Sequence, residues 1–324
     1  MANRAASPVE PRYEDLAGDR FGQRARRLWL ATRPKFLTAS VLPVLVGTAW
    51  GAAVAGVFDF FAALLALLAT ALVHAASNVL NDVGDEVIGG DRANEERIYP
   101  YTGGSRFIQN RIMTVQEMNR WGQALLGAAA VLGLVLTLMK GPLVLIFGLF
   151  GIAIAVLYSL PSVLLSGRGV GEACILIAFG LLPVCGAAWL QSGVIDWASA
   201  LVAVPAGIWV TLILLINEVP DRKADAASGK RTLVVRLGAP GARNLYRALH
   251  LSAFACLLTL SLTRLMPWWV AVGGAVILLG GFKAAAGIVD ATEDRTRLQK
   301  SIEMTLGLQA TGSVLLILGA IFAG

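Results

Sequence analysis

The sequence predicts an all-α integral membrane protein of about nine transmembrane helices, with its N-terminus in the cytoplasm. Three observations carry this. Of the 324 residues, 56% are hydrophobic and only 15% are charged, with a mean hydropathy of +0.69, a balance that excludes an ordinary soluble domain. Apolar stretches of roughly 18 to 23 residues, the length that spans a hydrocarbon core of about 30 Å, recur from about residue 36 to the C-terminus. With nine spans and a cytoplasmic N-terminus, about 25 of the 27 Lys and Arg fall on the cytoplasmic side and only Lys140 and Arg264 lie outside, as the positive-inside rule requires.

The elements follow in chain order. The first 26 residues are polar and carry no apolar core of a cleavable signal, so they read as a retained cytoplasmic tail (1–26) ahead of a single membrane domain (27–324). The first span centres on 36–57. The second, 60–80, contains FAALLALLATALVHAAS and runs into NVLNDVGDEVIGGD at 78–91. The third and fourth, 121–139 and 142–160, flank Lys140, and Tyr158 lies at the end of the fourth. The fifth, 171–190, opens next to Glu172. The sixth, 198–217, ends in VTLILLI and passes into NEVPDRKADAASGKRTLVVRLG at 217–238. The seventh and eighth, 246–263 and 267–285, flank Arg264, and the ninth occupies 304–323.

The +6 net charge is mainly topological, so nucleic acid is excluded as a partner and membrane lipid is the expected surroundings. Cys174, Cys185 and Cys256 all fall inside predicted helices at spacings that match no zinc or redox motif. His74 and His250 also lie within spans, where helix-packing hydrogen bonds are their ordinary use.

Carboxylates at a membrane edge are costly, yet the second and sixth spans both end in acidic clusters. These spans run in the same direction, so both clusters face one side. Asn217, Asp221 and Asp225 are spaced i, i+4, i+8, which places them along one face if the helix continues beyond the bilayer; Pro220 interrupts the backbone hydrogen bonding there. Asn78 and Asp82 share the i, i+4 relation, as do Asn81 and Asp85, and Asp91 follows the helix-ending pair Gly89 and Gly90. Two oxygen-rich stripes would repel each other without a cation between them. A hard cation fits: Mg²⁺ takes oxygen ligands, keeps several waters and is held by one or two carboxylates plus substrate phosphates. Thiol and imidazole ligands are absent from both clusters, which argues against zinc.

Basic residues in the same loops, Arg92, Lys230 and Arg231 foremost, are candidates for contact with phosphate, although positive-inside topology also accounts for basic loops. The glycines of PYTGGSRF, 103 and 104, suit either a backbone approach to an anion or an ordinary turn. Glu172 suits an acceptor contact, a base, or a helix N-terminal acid favoured by the macrodipole. Tyr158 suits cation stabilisation through its ring or an interfacial anchor.

The pairing of N-x-x-N-D-x-x-D-x-x-x-G-x-D after the second span with N-x-x-x-D-x-x-x-D and GKRTLVVRLG after the sixth resembles the UbiA superfamily of intramembrane prenyltransferases. RPKFLTASVLPVLVGTAWG (33–51), TGGSRFIQNRIMT (102–114) and GRGVGE (167–172) are most similar to the branch that prenylates 1,4-dihydroxy-2-naphthoate in menaquinone synthesis. The resemblance covers about 27–324. It implies a UbiA-type bundle in a bacterial cytoplasmic (inner) membrane, with the active site facing the cytoplasm. Mg²⁺ is then held by Asp82, Asp85, Asp91, Asp221 and Asp225, and a polyprenyl diphosphate is bound by Asn78, Asn81 and Asn217. Asp91 substitutes for the acid that the simpler motif would place at Gly89. The reaction implied is electrophilic prenylation of an aromatic acceptor, with loss of carbon dioxide from the attacked carbon, the polyprenyl tail lying in an apolar tunnel between helices. Other acceptors of the superfamily, 4-hydroxybenzoate, homogentisate or a glyceryl phosphate lipid, remain alternatives within the enzyme class. A cation-coupled secondary transporter is the alternative from another class, but its acids would sit near the bilayer midplane rather than at helix ends.

Overall fold

A computed structural model describes residues 10–323 of the chain; residues 1–9 of the predicted tail lie outside the described residues. After a single helical turn at Tyr13–Leu16, an amphipathic helix, α1 (Phe21–Ala31), precedes the bundle. Nine long helices follow among the described residues: α2 (Thr38–Ala55), α3 (Phe60–Ile88), α4 (Val115–Lys140), α5 (Leu143–Ser159), α6 (Gly171–Ser192), α7 (Trp197–Ala227), α8 (Leu233–Leu262), α9 (Trp269–Ala285) and α10 (Arg295–Ile321). Seven of them are long and apolar enough to cross a membrane; α5 and α9, each with 17 residues, are shorter apolar helices. At 1.5 Å per residue a 17-residue helix reaches about 26 Å, the lower edge of what spans a bilayer.

Local sequence sets where these helices begin. Asp59 caps α3 by accepting from the Ala62 amide (3.0 Å), Asp196 caps α7 through Ser199 (2.6 Å), and Asp294 caps α10 through Arg297 (2.9 Å). At α4, Thr114 and Glu117 form a reciprocal box: the Glu117 amide donates to the threonine hydroxyl, and the Thr114 amide donates to the glutamate. Because the caps lie in polar sequence, several helices outrun the apolar windows that mark them. α4 starts at 115 rather than 121, α10 at 295 rather than 304, and α8 at 233 rather than 246, with a kink where Gly238 takes φ +66°.

α7 is the central helix. Up to Ile216 it is largely apolar on every side, as expected of a helix enclosed by others, and 78% of its most apolar stretch is buried. α6 and α8 pack on its flanks, and α10 closes the ring by packing against both α7 and α2. α2 and α6 approach to backbone contact: a Cβ on Gly47 or on Gly51, one turn apart, would strike the Val184 or Ala188 carbonyl, which is the small-residue packing that lipid-embedded helices use.

α3 and α7, of 29 and 31 residues, are longer than a bilayer needs. Their C-terminal turns project from the same end of the bundle and carry both acidic motifs. α3 stops at Gly89, whose φ of +81° is a left-handed cap open to glycine. α7 continues through Pro220 to Ala227, so the stripe anticipated from its spacing forms on a continuous helix.

A candidate active site between two helix ends

A polar cavity of about 200 Å³ lies between the ends of α3 and α7. Asn78, Asn81 and Asp85 face it from α3, and Asn217, Asp221 and Asp225 face it from α7. Asp91 and Lys230 complete the wall from the connecting segments. The two motifs, far apart in sequence, therefore meet as anticipated.

Lys230 joins them. Its buried ammonium lies 2.7 Å from Asp85 Oδ1 and 3.2 Å from Asp225 Oδ1. Burial alone would lower its pKa, but the Asp85 and Asp225 carboxylates more than offset this and hold it above the ordinary lysine value. Asp221 is held by Asn94, whose side-chain amide donates at 2.6 Å. Asn78 donates to the Thr32 carbonyl (3.0 Å) and Asn81 to the Ser159 hydroxyl (3.3 Å). These bonds leave the amide oxygens of both asparagines for the cavity.

Asp82 is turned away from the cavity toward the glycine loop. It is 2% exposed, accepts from the Ser105 amide (3.0 Å) and lies 3.9 Å from an Arg33 guanidinium nitrogen. Gly103 and Gly104 take φ of +74° and +72°. A side chain on Gly104 would collide with Asp91 Oδ2 and Asp82 Oδ1, so the loop passes between these acids only because Cβ is missing. The Ser105 amide thus binds a carboxylate of the chain itself. Asp91 is buried, and its pKa is raised well above the usual carboxylate range, first by burial and then by Asp85, Asp82 and Asp221. Its Oδ2 has no hydrogen-bond partner among the described residues, nor does Asp82 Oδ1 or Asn217 Oδ1.

Such an arrangement suits a divalent cation. No three acidic, His or Cys side chains converge tightly enough among the described residues to form a cage of protein ligands alone. Mg²⁺ does not need one, because waters and substrate phosphates complete its octahedron. Unpartnered oxygens that line the cavity, the Asp91 carboxylate and the Asn217 amide, are available to the cation.

Arg92 and Arg231 do not line the cavity. Arg92 pairs with Glu86 (Nε donating at 2.6 Å) and its side chain is 74% exposed. Arg231 is exposed, and its backbone amide donates to the Gly167 carbonyl (2.7 Å). Glu172 is buried beside α7, where Thr211 Oγ1 donates to its carbonyl (3.4 Å); neither carboxyl oxygen has a partner among the described residues, and the residue does not line the cavity.

Sequence reasoning missed Arg33, Asn94, Ser166 and Glu218. Arg33 lines the cavity, lies over the Phe36 ring at 4.9 Å and reaches toward Asp82. Glu218 and Ser166 also line it; each is 7% exposed and each has a polar oxygen without a partner among the described residues.

A second cavity of about 340 Å³, almost wholly apolar, adjoins the first. The two share His74, Ser77, Tyr158, Ile175 and Phe179. His74 is fixed there by a 3.0 Å hydrogen bond with Ser40 and an edge-on contact with Phe179. From this neck the apolar cavity follows α3 back to Ala66 and is walled by α4 and α5, reaching the outer surface of the bundle at Leu134 and Leu149, which are exposed. A charged head and a long apolar tail therefore have adjoining compartments.

Known proteins resemble this chain in sequence and in fold. The sequence model of the UbiA prenyltransferase family matches residues 40–307. The chain is 35% identical over 250 residues to the 1,4-dihydroxy-2-naphthoate octaprenyltransferase of Escherichia coli strain K12, covering 74% of this chain and 78% of that one. It is 32% identical over 243 residues to the protein of the same name from Mycobacterium tuberculosis H37Rv, with 75% and 80% covered. Among solved structures, the UbiA homolog from Archaeoglobus fulgidus bound to DMAPP and Mg²⁺ superposes with a TM-score of 0.62 at 18% identity, over 89% of this chain and 99% of that one. The apo UbiA homolog from Aeropyrum pernix K1 does so with 0.65 at 17% identity, over 86% and 97%.

Proposed function

Since this chain belongs to the UbiA prenyltransferase family, we infer that it is a prenyltransferase that joins a polyprenyl group from an allylic diphosphate to 1,4-dihydroxy-2-naphthoate. The observation that carries this reading is the junction of the two cavities: an oxygen-rich compartment that suits a metal-bound diphosphate opens through Tyr158 into an apolar compartment that suits the chain attached to it. The naphthoate acceptor is supported by the shared name of the relatives in Escherichia coli and Mycobacterium tuberculosis.

In this reading Asp85, Asp221 and Asp225 hold Mg²⁺, with Asp82 and Asp91 on either side of Gly104. Bound Mg²⁺ supplies charge neutralisation to the departing diphosphate. Asn78, Asn81 and Asn217 orient the head group, and Lys230 exchanges its carboxylate partners for phosphate oxygen. Arg92 and Arg231, outside the wall, act by attracting anions to the mouth. The allylic carbon then lies at the neck, where the Tyr158 ring faces developing positive charge. The electron pair of the breaking C–O bond leaves with the diphosphate, and the aromatic carbon of the acceptor forms the new C–C bond. When the attacked carbon carries the carboxylate, loss of carbon dioxide returns its bonding pair to the ring.

The acceptor is placed against Glu218 and Ser166, whose unpartnered oxygens suit hydrogen bonds with phenolic hydroxyls. Glu218→Leu is expected to raise the acceptor KM about tenfold, as for loss of one hydrogen-bond partner, and to leave the prenyl diphosphate KM within about twofold. Steady-state kinetics with each substrate varied in turn tests this; equal changes in both constants would refute the assignment. Acceptor identity is tested by incubating the purified protein with Mg²⁺, prenyl diphosphates of several lengths and a panel of aromatic and lipid acceptors, then identifying products by mass spectrometry. Prenylated naphthoquinol is expected, and a product formed only from another acceptor would overturn the naphthoate reading.

The site end of the bundle is proposed to face the cytoplasm of a bacterial inner membrane, because it carries nearly all the basic residues. Single cysteines introduced near residues 95 and 230 are expected to react with an impermeant reagent only after the cytoplasmic face is opened. Labelling from the outside in intact cells would reverse the orientation.

A further inference from the structure

The first 26 residues carry no part of the proposed chemistry, yet they run into a helix with an apolar face that is exposed among the described residues. In α1, Phe21, Ala25 and Trp29 recur at i, i+4 and i+8 and form one stripe. All three are exposed; Phe21 is 89% and Trp29 56% accessible. Arg24 and Arg26 flank the stripe on its two sides and are exposed as well. Among the described residues Arg24 meets only Asp19, in a surface pair at 3.0 Å, a contact of little energetic weight. Phe and Trp along one side of a basic helix are the pattern of a segment lying in the lipid interface.

The attachment of α1 fixes it at that height. The Trp121 indole, less than two turns into α4, donates to the Leu28 carbonyl at 3.1 Å, and the chain leaves α1 through Thr32 and Arg33 directly into the first membrane span. The rest of α1 is already engaged: Leu28, at the edge of the stripe, packs with Leu30 and Ala31 in a cluster with Val79 and Met118, and on the opposite side Arg27 donates back to the Leu16 carbonyl at 3.3 Å. The outer stripe therefore faces the surface of the bilayer that the bundle itself crosses, and its arginines complement anionic head groups.

We propose that α1 is an interfacial anchor that binds anionic phospholipid through Phe21, Trp29, Arg24 and Arg26, and that it thereby holds Arg33 at the wall of the polar cavity. The link is covalent and short. Thr32, at the end of α1, is tied to the first acidic motif by Asn78, and the next residue, Arg33, takes a left-handed φ of +55° and reaches toward Asp82. Lipid composition at the surface is thus coupled to the geometry of the site mouth.

The test uses the full chain in nanodiscs of phosphatidylcholine, with or without phosphatidylglycerol, carrying a lipid with a shallow spin quencher. Cys174, Cys185 and Cys256 are replaced by Ala, and an environment-sensitive fluorophore is attached through Ala25→Cys or, on the other side of the helix, Gln23→Cys. The label at 25 is expected to be quenched by the lipid about threefold more strongly than the label at 23. This difference should grow when phosphatidylglycerol is present and lose that growth in Arg24→Gln/Arg26→Gln. Equal quenching at both positions, preferential quenching of the label at 25 by aqueous iodide, or protein-concentration-dependent self-quenching from a second copy would each overturn the proposal, and so would indifference to phosphatidylglycerol. If the cysteine-free chain does not fold, a photoreactive residue at position 25 of the otherwise native chain gives the same answer, with crosslinking to lipid expected and crosslinking to protein contradicting it.

Discussion

Replacing Asp85, Asp221 or Asp225 with Asn, one at a time, is expected to lower turnover by on the order of a hundredfold or more, equivalent to a few kcal/mol of lost transition-state stabilisation. The substitution keeps shape and burial and removes one negative charge. At Asp221 the remaining side-chain oxygen still accepts from Asn94, so packing survives and the missing quantity is cation affinity. The loss should be the same with every acceptor, because departure of the diphosphate does not depend on which ring captures the chain. Steady-state rates normalised to folded, membrane-inserted protein measure it. Near wild-type rates in all three variants would remove these residues from the diphosphate site. Asp82→Asn is the informative contrast: its oxygen still accepts from Ser105, and the charge it loses faces Arg33 rather than the cavity.

The second large effect is expected at Lys230, whose ammonium lies between the last acids of both motifs. Lys230→Met retains most of the aliphatic stem and strands two carboxylates in a buried wall. Breaking a buried ion pair costs about 3–5 kcal/mol. The chain without metal should therefore unfold at distinctly lower temperature, and added Mg²⁺ should recover more stability in the variant than in the native protein, since the cation takes the place that the ammonium left. Turnover should stay low even at saturating Mg²⁺, because phosphate then lacks its lysine. Thermal unfolding followed with and without Mg²⁺ checks the first part. A variant as stable as the native chain, with no larger response to metal, would mean that Lys230 does not hold the two motifs together.

The helices and both motifs were legible because hydropathy over about 20 residues and i, i+4 spacing are local properties. Asn217, Asp221 and Asp225 form a stripe simply because α7 stays helical past the bilayer. Helix ends were less legible. Apolar windows report where lipid begins, while caps such as Thr114 and Asp294 lie in polar sequence several residues outside. The site's supporting residues were hidden by distance along the chain. Asn94 reaches Asp221 across 127 residues, and Arg33 reaches Asp82 from the entrance to the first span. No periodicity links such pairs. Arg33 does open the RPKFLTASVLPVLVGTAWG stretch, so a signal for it existed without a reason attached. Glu218 stood beside Asn217 but off the i, i+4 stripe, and only the packing of α6 on α7 shows that it faces the cavity. Conversely, Arg92 and Arg231 lie next to the motifs in sequence, yet neither lines the cavity: Arg92 turns to Glu86, and Arg231 is exposed in the segment between α7 and α8, where its amide donates to the Gly167 carbonyl. Asp91 was singled out from its spacing as a substitute acid; the structure places it in the cavity wall, buried against Gly104.

The central claim is that the cavity between α3 and α7 binds a prenyl diphosphate through a divalent cation. Equilibrium binding of a non-hydrolysable prenyl thiodiphosphate to the purified, full-length protein tests it most directly, because no acceptor or turnover is involved. Binding should be tight in Mg²⁺, weaken by at least about a hundredfold in EDTA, and return when Mg²⁺ is restored. The same affinity in EDTA as in Mg²⁺ would contradict the account.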